Sequence, residues 1–308
     1  MRRLSVLLIA ATACGSGAVS APSMQGTAEP STQTAHEPGP SSEPRGQTPA
    51  FAPTAFSVAI QGRGRPIILI PGLGCPGDVW NDIAPRLDGF ETHTLTLAGF
   101  AGTPRIDAPL AAKTRDELAR YIRAHRLDHP IVIGHSMGGY IAYWLAASEP
   151  ALVGPTIIVD AAPTFGPDDP DAAEAAGVQA RSVWADASDE QFTRQVQASF
   201  GSMSAQPSRL RPTIDAVARS DRRAMGDAVY EMVTHDLRPQ LSHIRAPVLL
   251  VLADGSLQTT YRQHARAVPN HEVIVLPGTR HFVFVDDPDG FVTAIKRFLG
   301  SRTQLAAG

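Results

Sequence analysis

Cysteine is almost absent: the 308 residues contain two, Cys14 and Cys75. That excludes a disulfide framework. With no CxxC and no HExxH in the chain, a zinc site has no ligand set to start from. His125 and His129 stand at helical i, i+4 spacing, but the pattern offers no third ligand, and a solvated helix end accounts for them. A basic excess is lacking too. The formal net charge is −3 with no Lys/Arg stripe, which argues against nucleic acid as a partner. Uninterrupted apolar runs fall short of the roughly 20 residues needed to cross a bilayer. What remains is a globular composition, 43% apolar and 19% charged. The length suits one large catalytic domain or two small ones.

The first 53 residues read as an address and a spacer. Met1-Arg2-Arg3 is a short basic region and Leu4–Ala13 an apolar stretch of signal-peptide length, too short to span a bilayer. Ala11-Thr12-Ala13-Cys14 resembles a bacterial lipoprotein signal, although Leu is the commonest residue where Ala11 stands. The resemblance implies cleavage before Cys14 and lipid on that cysteine, so that the membrane is met only through the anchor. The alternative is ordinary secretion, with cleavage after an Ala-x-Ala-like site and Cys14 incidental. Both readings export the protein to the cell envelope or beyond. Residues 14–53, rich in Pro, Ser, Thr and Gly, cannot bury enough apolar surface to offset their ordering entropy, and are expected to form a tether.

From residue 54 to about 300 the chain alternates strand-like and helix-like segments. Strands are expected at Phe56–Ile60, Pro66–Ile70, Thr92–Leu97, Pro130–Ile133, Thr156–Val159, Pro247–Leu252 and Glu272–Leu276. Helices are expected at Lys113–Arg126, Gly139–Ser148, Thr260–Val268 and Asp289–Leu299, with residues 301–308 left as a tail. Runs such as Pro66-Ile-Ile-Leu-Ile70 and Pro247-Val-Leu-Leu-Val-Leu252 are apolar throughout, as strands buried on both faces must be. The expectation is an α/β fold with a doubly wound, mostly parallel sheet. The stretch from about Thr164 to Gln240 breaks the rhythm. It is helical in character and punctuated by prolines, and it reads as an insertion capping the sheet's C-terminal edge.

Gly134-His135-Ser136-Met137-Gly138 is a G-x-S-x-G element placed between an expected strand and an expected helix. A sharp turn there presents the serine hydroxyl above the sheet, and the glycines leave room for it. Ser136 is therefore the candidate nucleophile, with the following helix N-terminus favouring negative charge beside it.

The element resembles the nucleophile elbow of the α/β-hydrolase superfamily in its GHSMGG form, and the resemblance extends over residues 54–300. It implies an oxyanion hole made by the backbone N–H groups of Leu73, in the Ile70-Pro-Gly-Leu-Gly74 loop, and of Met137. Pro71 stands where the family usually has His, but the Leu73 N–H does not depend on that side chain. The family's order of residues implies His281 as the base, in Gly278-Thr-Arg-His281, followed by an Asp-x-Pro-x-x-Phe element near Asp287, Asp289 and Phe291. Two carboxylates compete as its partner. Asp254 follows the strand that usually carries the acid, yet stands two residues early, with Ser256 at the usual place. Asp160 ends the strand after the nucleophile helix, where some members, certain haloalkane dehalogenases among them, carry their acid.

The implied chemistry is acyl transfer through an acyl-enzyme, with a small-molecule carboxylic ester or related acyl compound as substrate and no metal or organic cofactor. A serine nucleophile argues against a dehalogenase. A cofactor-free perhydrolase or haloperoxidase, a C–C bond hydrolase and, last, a non-catalytic surface binding protein are the alternatives. Trp184, Phe192, Phe200, Met203, Tyr230 and Met232 are candidates either for an acyl pocket or for the core of the insertion.

Overall fold

The computed structural model describes residues 51–255 and 257–306. The expected signal peptide, the tether and Cys14 lie outside these residues, apart from the tether's last three. Among the described residues seven strands form one sheet: β1 (Phe56–Gly62), β2 (Arg65–Ile70), β3 (Phe90–Leu97), β4 (Ile131–His135), β5 (Thr156–Val159), β6 (Val248–Ala253) and β7 (His271–Leu276). Their spatial order is β1-β3-β2-β4-β5-β6-β7, with β1 antiparallel to β3 and every other pair parallel. Nine α-helices accompany them among the described residues: α1 (Leu110–Ala124), α2 (Met137–Ser148), α3 (Pro170–Ala185), α4 (Asp189–Ser202), α5 (Pro207–Val217), α6 (Arg222–Thr234), α7 (Gln258–Ala265), the short α8 (Val283–Asp286) and α9 (Pro288–Ala306).

The central strands explain why their sequences read so plainly. Ile67–Ile70, Ile131–His135, Thr156–Val159 and Val248–Ala253 are buried at every position, because helices cover both faces of the sheet. α2 runs directly behind the elbow and is buried from Met137 to Ala147.

Helix boundaries depart from the sequence in instructive ways. α1 begins at Leu110 rather than Lys113, because Glu231 of α6 accepts from the N–H groups of Ala111 and Ala112, both at 2.8 Å. A carboxylate from a distant helix thus satisfies donors that a helix's first turn leaves open. α9 continues to Ala306, into the segment expected as a tail.

Four helices, α3 to α6, lie between β5 and β6, where the sequence suggests an insertion. They reach the loops at the C-terminal ends of the strands. Ser220 Oγ donates to the carbonyl of Gly74 (3.2 Å) and accepts from Ala101 N–H (2.9 Å). The carbonyl of Met203 accepts from Phe282 N–H (3.2 Å). Of the aromatic and methionine candidates, Trp184, Phe192, Phe200 and Met232 are buried, and Trp184 meets Phe192 edge-on at 5.8 Å. Tyr230 instead points its hydroxyl at the carboxylate of Glu174.

Among the described residues four histidines are held below the ordinary imidazole range, chiefly by burial. His135 is displaced furthest, with the neighbouring His281 adding to the effect, and His93, His235 and His264 move the same way. As pH falls through about 6.5, the unfolded chain takes protons on these rings while the folded chain resists them. Stability present above that pH is therefore lost as the medium becomes more acid. Urea unfolding is expected to give a smaller free energy at pH 5.5 than at pH 7.5, with a slope of about 1.4 kcal/mol per pH unit for each proton taken up. A flat profile over that range would contradict the assignment.

Candidate active site

The turn after β4 is built around one strained residue. Ser136 has φ +54° and ψ −118°, a region that residues with a Cβ rarely enter. Its N–H is held by the carbonyl of Val159 on β5 (3.0 Å), and its carbonyl accepts from Tyr140 N–H (3.0 Å) as α2 begins. The turn is so tight that a Cβ on Gly134 would run into the carbonyl oxygen of Gly138. One on Gly138 would run into the carbonyls of Ile70 and Pro71. Only glycine fits either place, which is the physical content of the G-x-S-x-G spacing.

The loop after β2 packs directly on this turn. A side chain added at Gly72 would stand 3.2 Å from Ser136 Cβ. Among the described residues, neither the Leu73 N–H nor the Met137 N–H has a hydrogen-bond acceptor. Met137 opens α2, so its N–H is one of the donors a helix start leaves free.

His281 approaches from the loop after β7. Its Nδ1 lies 2.7 Å from Oδ2 of Asp160, and the two side chains are largely enclosed, 19% and 8% exposed. Asp160 is itself in left-handed backbone geometry, φ +43°, just past the end of β5. Its other oxygen, Oδ1, accepts from Ala253 N–H at the end of β6 (3.0 Å). The carboxylate is thus fixed through both oxygens, and it in turn fixes the imidazole. With Nδ1 committed to Asp160, Nε2 is the nitrogen left to exchange protons. No hydrogen bond joins Ser136 Oγ to His281 among the described residues. Such contacts often tighten only when substrate is bound.

Asp254 does not reach the imidazole. Its carboxylate accepts from Gly278 N–H (3.2 Å) in an exposed loop. Of the two candidates, the structure brings Asp160 to His281 and leaves Asp254 outside.

His135, inside the elbow, makes no hydrogen bond to the hydroxyl of its neighbour Ser136 among the described residues. It nevertheless has a place in the site. Fully buried, it lies 3.0 Å through Nε2 from the carbonyl of His281, with the two rings 4.7 Å apart. Since a carbonyl can only accept, Nε2 carries the proton and the ring is neutral, in keeping with its lowered pKa. The only sequence signal for this role was its place inside the elbow. Cys75, just beyond the Pro71–Gly74 loop, is fully buried, and burial pushes its thiol far up, so it stays protonated and inert. The ring of His125 lies tilted against that of Tyr121 (centroids 4.2 Å apart), and His129 meets the carboxylate of Asp128 (2.6 Å).

The chain belongs to the alpha/beta hydrolase family, whose pattern matches residues 67–294. Its similarities run to esterases and to related enzymes of that fold. A pimeloyl-[acyl-carrier protein] methyl ester esterase of Vibrio vulnificus is 26% identical over 261 residues, covering 78% of this chain and 96% of that protein. Among solved structures, the enol-lactonase of Burkholderia xenovorans LB400 superposes with a TM-score of 0.69 at 18% identity, over 80% of this chain and 96% of that one. The bromoperoxidase of Bacillus anthracis does so with a TM-score of 0.71 at 17% identity, over 80% and 95%. At such identities the structural likeness speaks for the fold.

Proposed function

We propose that this protein is a serine esterase in which Ser136 is the nucleophile, His281 the general base and Asp160 the acid that orients it. The observation that carries the reading is the 2.7 Å contact between His281 Nδ1 and Asp160 Oδ2 beside a serine held in strained geometry. In this reading Ser136 Oγ attacks the ester carbonyl while His281 Nε2 takes its proton. The imidazolium that forms is stabilised by Asp160, which stays ionised. The carbonyl oxygen, now negative, receives the N–H groups of Leu73 and Met137, each worth on the order of 3 kcal/mol to the transition state. His281 then protonates the leaving alcohol. A water molecule, deprotonated by the same ring, hydrolyses the acyl-enzyme and frees Ser136.

The substrate class is a small-molecule carboxylic ester. Phe282, next to His281, is buried and lies 6.2 Å from Phe200 of α4, so that the base's surroundings on this side are apolar. The test is turnover of p-nitrophenyl acetate and octanoate by the protein, beside a β-diketone and a peroxide-dependent halogenation assay. Ester turnover with an initial burst of one equivalent of nitrophenol is the expected result. Halogenation or carbon–carbon cleavage without ester hydrolysis would point to the alternative chemistries of the same fold.

We further propose, from residues 1–53 alone, that the enzyme is exported and lipidated at Cys14. Expressed in a Gram-negative host, the protein is expected in the membrane fraction, and Cys14→Ser is expected to release it or leave it unprocessed. Equal soluble yields of both would favour plain secretion.

A further inference from the structure

Asp286 closes α8, five positions after His281, and its two carboxylate oxygens face different parts of the molecule. Oδ1 accepts from Ser204 Oγ (2.5 Å), Ala205 N–H (2.9 Å) and Gln206 N–H (3.2 Å), all in the turn between α4 and α5. Oδ2 accepts from the N–H of Arg280 (2.7 Å), the residue before His281. Two further bonds flank the same place. The Arg280 guanidinium donates to the carbonyl of Ser202 (3.1 Å), and Phe282 N–H donates to that of Met203 (3.2 Å). The backbone on either side of His281 is thus tied to residues 202–206.

We propose that Asp286 is a positioning residue that couples the α4–α5 turn to His281, so that the imidazole is correctly presented only when that turn is seated. The inference rests on the serine-esterase reading and deepens it. Catalytic geometry tolerates little displacement. A base displaced by about 1 Å can cost a hundredfold in rate. His281 sits in a loop that regular structure fixes only at β7 behind it and α8 ahead of it. Hydrogen bonds to an ionised acceptor are roughly twice as strong as neutral ones, and Asp286 spends them on both segments at once. The turn that it holds follows α4, whose Phe200 packs on Phe282. An acyl group that shifts the turn therefore shifts the base.

The test is Asp286→Asn, with Ser204→Ala beside it. One amide oxygen can still take the three donors of the turn, but the amide NH2 then faces the Arg280 N–H, donor against donor. Rates are normalised to the Ser136 sites titrated with a fluorophosphonate, so that a loss of folded protein does not count. The expected result is a kcat lower by about ten- to a hundredfold, with KM within about threefold of wild type and an unchanged melting temperature within a few degrees. Ser204→Ala, which weakens only the turn's side, is expected to lower kcat by a few-fold in the same pattern. A folded Asp286→Asn with wild-type kcat per titrated site overturns the proposal. If that variant does not fold, an unchanged kcat in Ser204→Ala overturns it instead. A wild-type protein that neither takes the label nor hydrolyses esters removes the serine-esterase reading and this inference with it. An active wild type with an indifferent Asp286→Asn removes this inference alone.

Discussion

Ser136→Ala is expected to abolish ester turnover, lowering kcat by about 10⁴- to 10⁶-fold while the protein keeps its fold. The loss is large because nothing else stands at the reacting position. The serine lies at the apex of a turn whose neighbours are glycines by steric necessity, and its N–H is held by Val159. A residual rate over water is expected to survive, since the Leu73 and Met137 N–H groups would still polarise a bound carbonyl. Stability is expected to change little, because the hydroxyl makes no hydrogen bond among the described residues. Alanine inherits the φ of +54° and with it the strain. Steady-state kinetics and a thermal melt on the same preparation decide the matter. A variant with more than about one per cent of wild-type kcat would show that Ser136 is not the nucleophile.

The second large effect separates the two carboxylates. Asp160→Asn is expected to lower kcat by about 10⁴-fold, because the amide presents a donor or a weaker acceptor to Nδ1 and the ring adopts the wrong tautomer. Asp254→Asn is expected to stay within about twofold of wild type, as an exposed polar exchange away from the reacting groups. The asymmetry follows from geometry. Asp160 Oδ2 is 2.7 Å from the imidazole, and the carboxylate is anchored through Oδ1 on Ala253 N–H. Asp254 spends its own carboxylate on Gly278. Because Asp160 is also buried, its variant should be checked for folding by near-UV circular dichroism. Equal losses in both variants, or a loss confined to Asp254→Asn, would reverse the assignment.

The contrast between these two residues shows where the sequence was legible. The strands β2, β4, β5 and β6 were readable because a parallel strand buried on both faces must be apolar throughout, and few other segments are. The elbow was readable because its glycines are demanded by backbone collisions that any chain of this geometry would meet. The acid was not readable. Asp160 and Asp254 follow adjacent strands, β5 and β6, so the sequence places both carboxylates at the same edge of the sheet. Asp160 reaches His281 from left-handed geometry, φ +43°, which no local sequence signal announces for an aspartate. The early start of α1 was hidden for a different reason: Glu231, the carboxylate that caps it, lies on α6. Asp286 shared that fate, standing beside the Asp287 and Asp289 that the sequence pattern pointed to. Asp287 instead accepts from Gly290 N–H at the start of α9, and Asp289 pairs with Arg86.

Covalent acylation of Ser136, with His281 and Asp160 behind it, is tested most directly by treating the protein with a fluorophosphonate and locating the adduct by peptide mass spectrometry, in wild type and in His281→Ala. One equivalent of label on the peptide bearing Ser136 is expected in wild type, and labelling slowed by several orders of magnitude without the histidine. No label on a folded protein, or a label on another residue at the same rate in both proteins, would contradict this role for Ser136.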